Sequence, residues 1–244
     1  MSESVLTMAN IEAGYGGGLV LQGVDLTVDK GTITCIVGPN GAGKSTVFRV
    51  ISGLLKPKGG TVTFGGRDIG GLSPSEVLKS GIAQVPQNRA LFPEMSVHEN
   101  VLMGGYAIRR DRALLKERLA MVAEMVPLVK ERAKEHAGNL SGGQRRMVEI
   151  GRALMLDPAV VLMDEPSLGL DPKSVATVAS VIRDMAAEGR TVLMIEQNVR
   201  LGMNLATHGV VMEQGKVRLI GDAKDIADNP EVASMYLGKT GHNA

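Results

Sequence analysis

The chain has 244 residues, enough to bury a substantial core, and its 27 Lys+Arg against 26 Asp+Glu leave a net charge of +1, which gives no electrostatic case for a nucleic-acid partner. One cysteine, Cys35, excludes an internal disulfide framework, and three Phe, three Tyr and no Trp make the expected core aliphatic, with 14 Met as adaptable filler. The N-terminal residues have neither a basic start nor an apolar run, and no stretch approaches the roughly 20 apolar residues of a bilayer span, so a soluble chain without a signal peptide is expected.

In chain order, short strands come first. Residues 24–28 alternate with period two, 32–37 form a continuous apolar run, 61–64 end at a Gly65-Gly66 turn, and 82–85 are stopped by Pro86. Helical spacing then dominates at 97–109 and 111–127, where Arg109, Arg110 and Arg112 read as a solvated helix end. A Ser-Gly-Gly break at Ser141 opens another helix to about residue 156. Strand character returns at 160–163, followed by a helix at 172–188, a strand at 191–195, a hairpin turning at Gln214-Gly215 and a short helix at 230–236. The pattern is an α/β core interrupted by a helical insertion, with no internal repeat.

Three motifs sit on this frame. GPNGAGKST, Gly38 to Thr46, fits G-x-x-x-x-G-K-[ST] and follows a buried strand, the context in which that spacing binds phosphate. Gly38, Gly41 and Gly43 let the backbone approach an anion, with Pro39, Asn40 and Ala42 between them. The loop's N–H groups and the start of the next helix then face the phosphates, Lys44 adds a point charge, and the Ser45 hydroxyl can ligate Mg²⁺, with Thr46 following it. VVLMDE, at 160–165, is an apolar strand ending in two acids; Asp164 is suited to hold Mg²⁺ and Glu165 to polarise an attacking water. NLSGGQ, at 139–144, places Ser141, Gly142, Gly143 and Gln144 at a helix start, a second anion-binding end whose natural use is to cap a nucleotide held by another subunit.

LSGGQ together with GPNGAGKST and VVLMDEP, in that order, resembles the ATP-binding subunits of ABC transporters over nearly the whole chain. The resemblance implies an α/β fold: a P-loop NTPase (RecA-like) core with an N-terminal antiparallel β portion and an inserted α-helical subdomain. It implies one nucleotide-binding domain over 5–238, with 1–90 and 157–238 as catalytic core and 91–156 as helical subdomain. The cofactors implied are ATP and Mg²⁺, the ion held by Ser45, Gln87 and Asp164. By the same resemblance Tyr15 stacks on adenine, Gln87 also touches the attacking water, Glu165 activates it, and Asp171 belongs to a loop crossing to the opposite subunit. One departure stands out. Gln197, in MIEQN, occupies the position of a histidine common in the family; an amide can donate a hydrogen bond to a γ-phosphate but carries no charge.

The EQN variant, AGYGGG, LFPEMSVHENVLMGGY and NPEVASMYLG are similar to the ATPases of branched-chain amino acid importers of LivF type. That type implies a second ATPase subunit (a related chain, or a second copy in isolation), two membrane permeases, a cytoplasmic loop of the membrane subunit held on residues 88–110, and a periplasmic solute-binding protein reached through the permeases. It also implies a peripheral position on the cytoplasmic side of the inner membrane, and with a related chain as partner Gln197 is expected to make the two ATP sites inequivalent. Urea-type importers have similar ATPases, and RRMVEIGRAL is similar to a lipopolysaccharide-export ATPase. A soluble repair ATPase is disfavoured because the segment between Gln87 and Ser141 is too short for a long coiled coil, a translation ATPase because there is one cassette, and a phosphotransferase because it has no use for LSGGQ.

Overall fold

The computed structural model describes residues 3–88 and 90–232. In chain order its elements are β1 (Ser4–Ala13), β2 (Leu21–Asp29), β3 (Ile33–Val37), α1 (Lys44–Ile51), β4 (Gly59–Phe64), β5 (Arg67–Asp68), α2 (Pro74–Ser80), β6 (Ile82–Val85), α3 (Val97–Gly104) and α4 (Arg112–Met125). There follow α5 (Leu128–Glu131), α6 (Gly142–Leu154), β7 (Val160–Asp164), α7 (Pro172–Ala187), β8 (Thr191–Ile195), α8 (Val199–Leu205), β9 (His208–Glu213), β10 (Lys216–Asp222) and α9 (Ala223–Ala227). No helix among the described residues is long and apolar enough to cross a membrane. Of the described residues, those up to Val77 together with those from Leu193 form one compact unit, and those between Leu78 and Val192 form another.

The first unit holds an antiparallel sheet in the order β2-β1-β4-β5. Leu6 pairs with Phe64 and Met8 with Val62 on one side of β1, while Thr7 faces Thr27 on the other. From Val24 the alternation of β2 buries Val24, Leu26 and Val28 on one face, the period expected of a strand with a single covered side, and Leu21 is buried beyond a register shift. The same unit carries β10-β9-β3, with β9 antiparallel to β10 and parallel to β3. All five residues of β3 are buried, as its unbroken apolar run requires. Thr207 pins the start of that strand: its Oγ1 accepts from the Ile33 N–H and donates to the Ile33 carbonyl, both at 3.0 Å.

The second unit pairs β6 with β7 in parallel, Ile82 opposite Val160 and Val85 opposite Met163. Its helices surround α6, which buries Met147, Val148, Ile150 and Leu154. A Cβ on Gly151 of α6 would stand 3.2–3.3 Å from Val122 and Val129, so this face of α6 touches α4 and α5 closely. At the start of α3, Ser96 and Glu99 form a reciprocal capping box. Fully buried Asn100 ties down the preceding turn by accepting from the Phe92 N–H and donating to the carbonyls of Phe92, Met95 and Ser96.

The helix expected over 97–109 ends at Gly104, and a single 3-10 turn, Tyr106–Ile108, follows. Two consecutive glycines, Gly104 and Gly105, weaken the helix, and Gly104 leaves room for the Arg152 carbonyl, which a Cβ would meet at 2.0 Å. The helix expected to residue 156 stops at Leu154. The short helix expected at 230–236 and the tail used for the resemblance lie largely outside the described residues.

Candidate functional site

The phosphate loop leaves β3 at Gly38, where φ is 155° and a Cβ would meet the Met212 carbonyl oxygen at 2.2 Å. At its other end Gly43 is the N-cap of α1 with φ 100°, a left-handed conformation, and no side chain caps the helix. Among the described residues no protein acceptor meets the N–H groups of Gly41, Gly43 or Ser45. Lys44 is 6% exposed, and its ammonium donates to the carbonyls of Gly38 at 2.6 Å and Pro39 at 3.0 Å. A buried cation over a row of unsatisfied N–H groups at a helix start is an anion site by chemistry. The loop rests on the β9–β10 turn: Gly215 donates its N–H to the Ala42 carbonyl at 3.0 Å and accepts from the Gln22 N–H at 3.0 Å. That support was not predicted from sequence, because nothing local links a turn at 214–215 to a loop at 38–46.

Tyr15 and Gln197 belong to the same unit. Tyr15 is half exposed, and the Arg49 guanidinium donates to its hydroxyl at 3.1 Å. Gln197 is exposed just beyond β8, next to buried Glu196, whose N–H donates to the Ile36 carbonyl at 3.1 Å. Buried Cys35 has its thiol pushed well above its ordinary value, first by burial and then by the charge of Glu196.

In the second unit β7 ends at half-buried Asp164, and Glu165 follows with φ 46°. A non-glycine residue in that region carries roughly 1–2 kcal/mol of strain, which is typical of reactive positions. Gln87, exposed after β6, donates from Nε2 to Oε2 of Glu165 at 2.8 Å, so two residues chosen separately from sequence meet. The serine-led helix start has the expected form. Ser141 is the N-cap of α6; its Oγ accepts from the Gln144 N–H at 3.3 Å, and Oε1 of Gln144 accepts from the Ser141 N–H at 2.9 Å. Gly143 is required here, since a Cβ would lie 2.2 Å from Oγ of Ser174. Ser174 in turn donates to Asp171 at 2.6 Å, and Asp171 caps α7 by accepting from the N–H groups of Lys173 and Ser174. The Ser174 hydroxyl, more than the backbone donors, holds the Asp171 carboxyl below its ordinary value. A cavity of about 420 Å³ runs beside Ser141, Gln144, Met147, Asp171 and Ser174.

A further cluster was not singled out from sequence. Arg146 and Glu149 form a buried ion pair at 3.0 Å on α6, with side chains 8% and 3% exposed. Arg146 donates to the carbonyls of Pro86 (2.8 Å) and Gln87 (3.3 Å), Glu149 accepts from the Ala90 N–H (3.0 Å), and Arg152 donates to the Ala90 carbonyl (2.6 Å). The helix that begins at Ser141 thus fixes the backbone on both sides of the Gln87 loop. The i,i+3 Arg–Glu spacing was visible, but their partners some 60 positions upstream were not.

A family profile described as ABC transporter matches residues 21–168. The chain is 36% identical to the high-affinity branched-chain amino acid transport ATP-binding protein BraG of Pseudomonas aeruginosa, covering 96% of this chain and 100% of BraG. It is also 36% identical to the lipopolysaccharide export system ATP-binding protein LptB of Acidithiobacillus ferridurans, over 98% of each chain. In structure it is similar to the ADP conformation of MJ1267, an ATP-binding cassette of an ABC transporter, with TM-score 0.89 and 32% identity over 98% of this chain and 100% of that one. The α/β phosphate-loop fold expected from sequence is the fold of that cassette.

Proposed function

The chain belongs to the ABC transporter family, and we propose that it is the ATP-binding and ATP-hydrolysing subunit of an importer for branched-chain amino acids. The observation that carries nucleotide binding is the open start of α1: N–H groups of Gly41, Gly43 and Ser45 that meet no acceptor among the described residues, beside buried Lys44. The solute class is supported by the likeness to BraG along the whole of both chains and by EQN at residues 196–198.

In this reading residues 38–46 hold the phosphates, Tyr15 stacks on adenine, and Gln197 reaches the γ-phosphate as an uncharged donor. The donor set fits Mg²⁺, which prefers one or two carboxylates and hydroxyls completed by phosphate oxygens: Ser45, Asp164 and Gln87 would hold it. When bound, the ion neutralises charge on the phosphates. Glu165 takes the proton of the attacking water while Gln87, already bonded to it, orients the pair. Ser141 to Gln144 cap the ATP of a second ATPase subunit, so ATP favours the closed dimer and hydrolysis releases it.

We assign 5–238 to one nucleotide-binding domain and 91–156 to its helical subdomain. A cytoplasmic loop of a membrane permease docks on 88–110, a placement supported by exposed Phe92, Met103 and Tyr106; the assembly has two permeases, and a periplasmic solute-binding protein works through them. The subunit sits on the cytoplasmic face of the inner membrane. A second reading, lipopolysaccharide export, is favoured by the likeness to LptB. Reconstitution with the membrane partners decides: ATP-dependent uptake of leucine supports the importer, and ATP-dependent lipopolysaccharide release without uptake overturns it. In the same preparation Gln197→His is expected to change turnover; if Gln197→His and Gln197→Ala both match the wild type, Gln197 has no part at the γ-phosphate.

A further inference from the structure

The loop bearing Tyr15 reads Gly14-Tyr15-Gly16-Gly17-Gly18, so four of its five residues have no side chain with which to anchor it. Such a segment is conformationally permissive, and a ring carried on it has no fixed orientation unless something outside the loop supplies one. Two cations do so. Lys58 donates from Nζ to the carbonyls of Gly16 at 2.8 Å and Gly18 at 3.3 Å, which holds the backbone. Arg49 donates from Nη1 to the Tyr15 hydroxyl at 3.1 Å, which holds the ring. The guanidinium carbon lies 5.7 Å from the ring centre, at the outer limit of cation–π contact, so the main tether is at the hydroxyl and the ring stays half exposed.

Arg49 sits on α1, the helix that begins at Lys44. Five helical steps separate the two, roughly 7.5 Å along the axis. One rigid element therefore carries the phosphate-binding lysine at one end and the tether of the base-binding ring at the other. We infer that Arg49 is a positioning residue for nucleobase recognition: it fixes the Tyr15 ring at a set distance from the phosphate loop, so that adenine meets a platform already in place. The inference rests on the reading of Tyr15 as the adenine-stacking residue. A cation in the last turn of a helix also complements the helix dipole, and that bland role predicts a change in stability alone.

The test compares ATP with inorganic tripolyphosphate, which uses the phosphate loop and not the ring, in direct binding titrations of the full chain. Arg49→Met and Tyr15→Phe each break the tether, and both side chains are exposed. Each is expected to weaken ATP binding by about two- to tenfold, the range for one lost hydrogen bond. Tripolyphosphate affinity should stay unchanged, and the double variant should be no worse than either single one. Tyr15→Leu, which removes the platform itself, should cost ATP binding about fivefold or more. Arg49→Met overturns the inference if it binds ATP as the wild type does, if it weakens tripolyphosphate equally, or if its loss multiplies with that of Tyr15→Phe. Unchanged ATP affinity in Tyr15→Leu would instead remove the stacking assignment, and the inference with it.

Discussion

Two helix starts in this protein solve one problem in opposite ways. Both α1 and α6 begin at glycine-rich segments, and each exposes the orphan N–H groups of a first turn. At α1 the N-cap is Gly43, which has no side chain to offer, so the donors wait for an outside anion with Lys44 folded over them. At α6 the N-cap is Ser141, and it exchanges hydrogen bonds with Gln144, so the N–H groups of these two residues are satisfied within the chain while those of Gly142 and Gly143 are left to a ligand. The Ser141 hydroxyl accepts in that exchange and keeps its own proton to give. The first end is therefore built to bind on its own, and the second is stable unoccupied and adds a contact only when a ligand is brought to it.

The most damaging substitution should fall on neither end. Glu165→Gln is expected to leave ATP affinity intact and to lower kcat by about 10²–10⁴, the usual worth of a positioned proton acceptor, so steady-state turnover near that of the wild type would remove Glu165 from this role. Lys44→Ala tests the open end directly. Loss of charge-assisted contacts should weaken ATP binding about tenfold to a hundredfold by titration, and unchanged affinity would make the two helix starts equivalent.

Ser141→Ala tests the self-capped end. It should cost about 1 kcal/mol of stability in a denaturant melt and leave ATP binding by the isolated chain as it is; weakening comparable to Lys44→Ala would erase the contrast. The smallest effect concerns the neighbouring cap. The depressed carboxyl of Asp171 contributes stability that is complete above the ordinary aspartate value and is lost as pH falls through the lower folded value. Below about pH 4 the advantage of the wild type over Asp171→Asn should therefore shrink, and an advantage independent of pH would show that the charge of Asp171 is not what caps α7.

The open end was legible in sequence because everything it needs lies within nine consecutive positions after an apolar strand. The start of α6 was legible from the Ser-Gly-Gly break at 141–143, but the exchange between Ser141 and Gln144 that caps it was not read. What sequence could not supply is contact across long intervals: Arg49 on Tyr15, Arg146 on the carbonyls of Pro86 and Gln87, and the turn at Gly215 beneath Ala42. Local reading also missed β1, whose apolar alternation breaks at Asn10, a non-glycine residue with φ 50° beside a register shift. It missed α2 although Ser73 and Glu76 bond at its start, because the apolar content of that segment is too low to show a period.

The turn beneath the phosphate loop bears on how far this protein could be trimmed. Gly215 has φ 78°, and a Cβ there would sit 1.9 Å from the Val20 carbonyl, so the main chain of three distant segments meets at that point with no space to spare. A fragment ending after β8 would keep every residue of the GKS signature yet remove the floor that shapes it. Recombinant minimal cassettes, domain-swapped chimaeras and split-protein reporters built on this scaffold should therefore retain the hairpin of β9 and β10, even though no residue of that hairpin needs to meet the nucleotide.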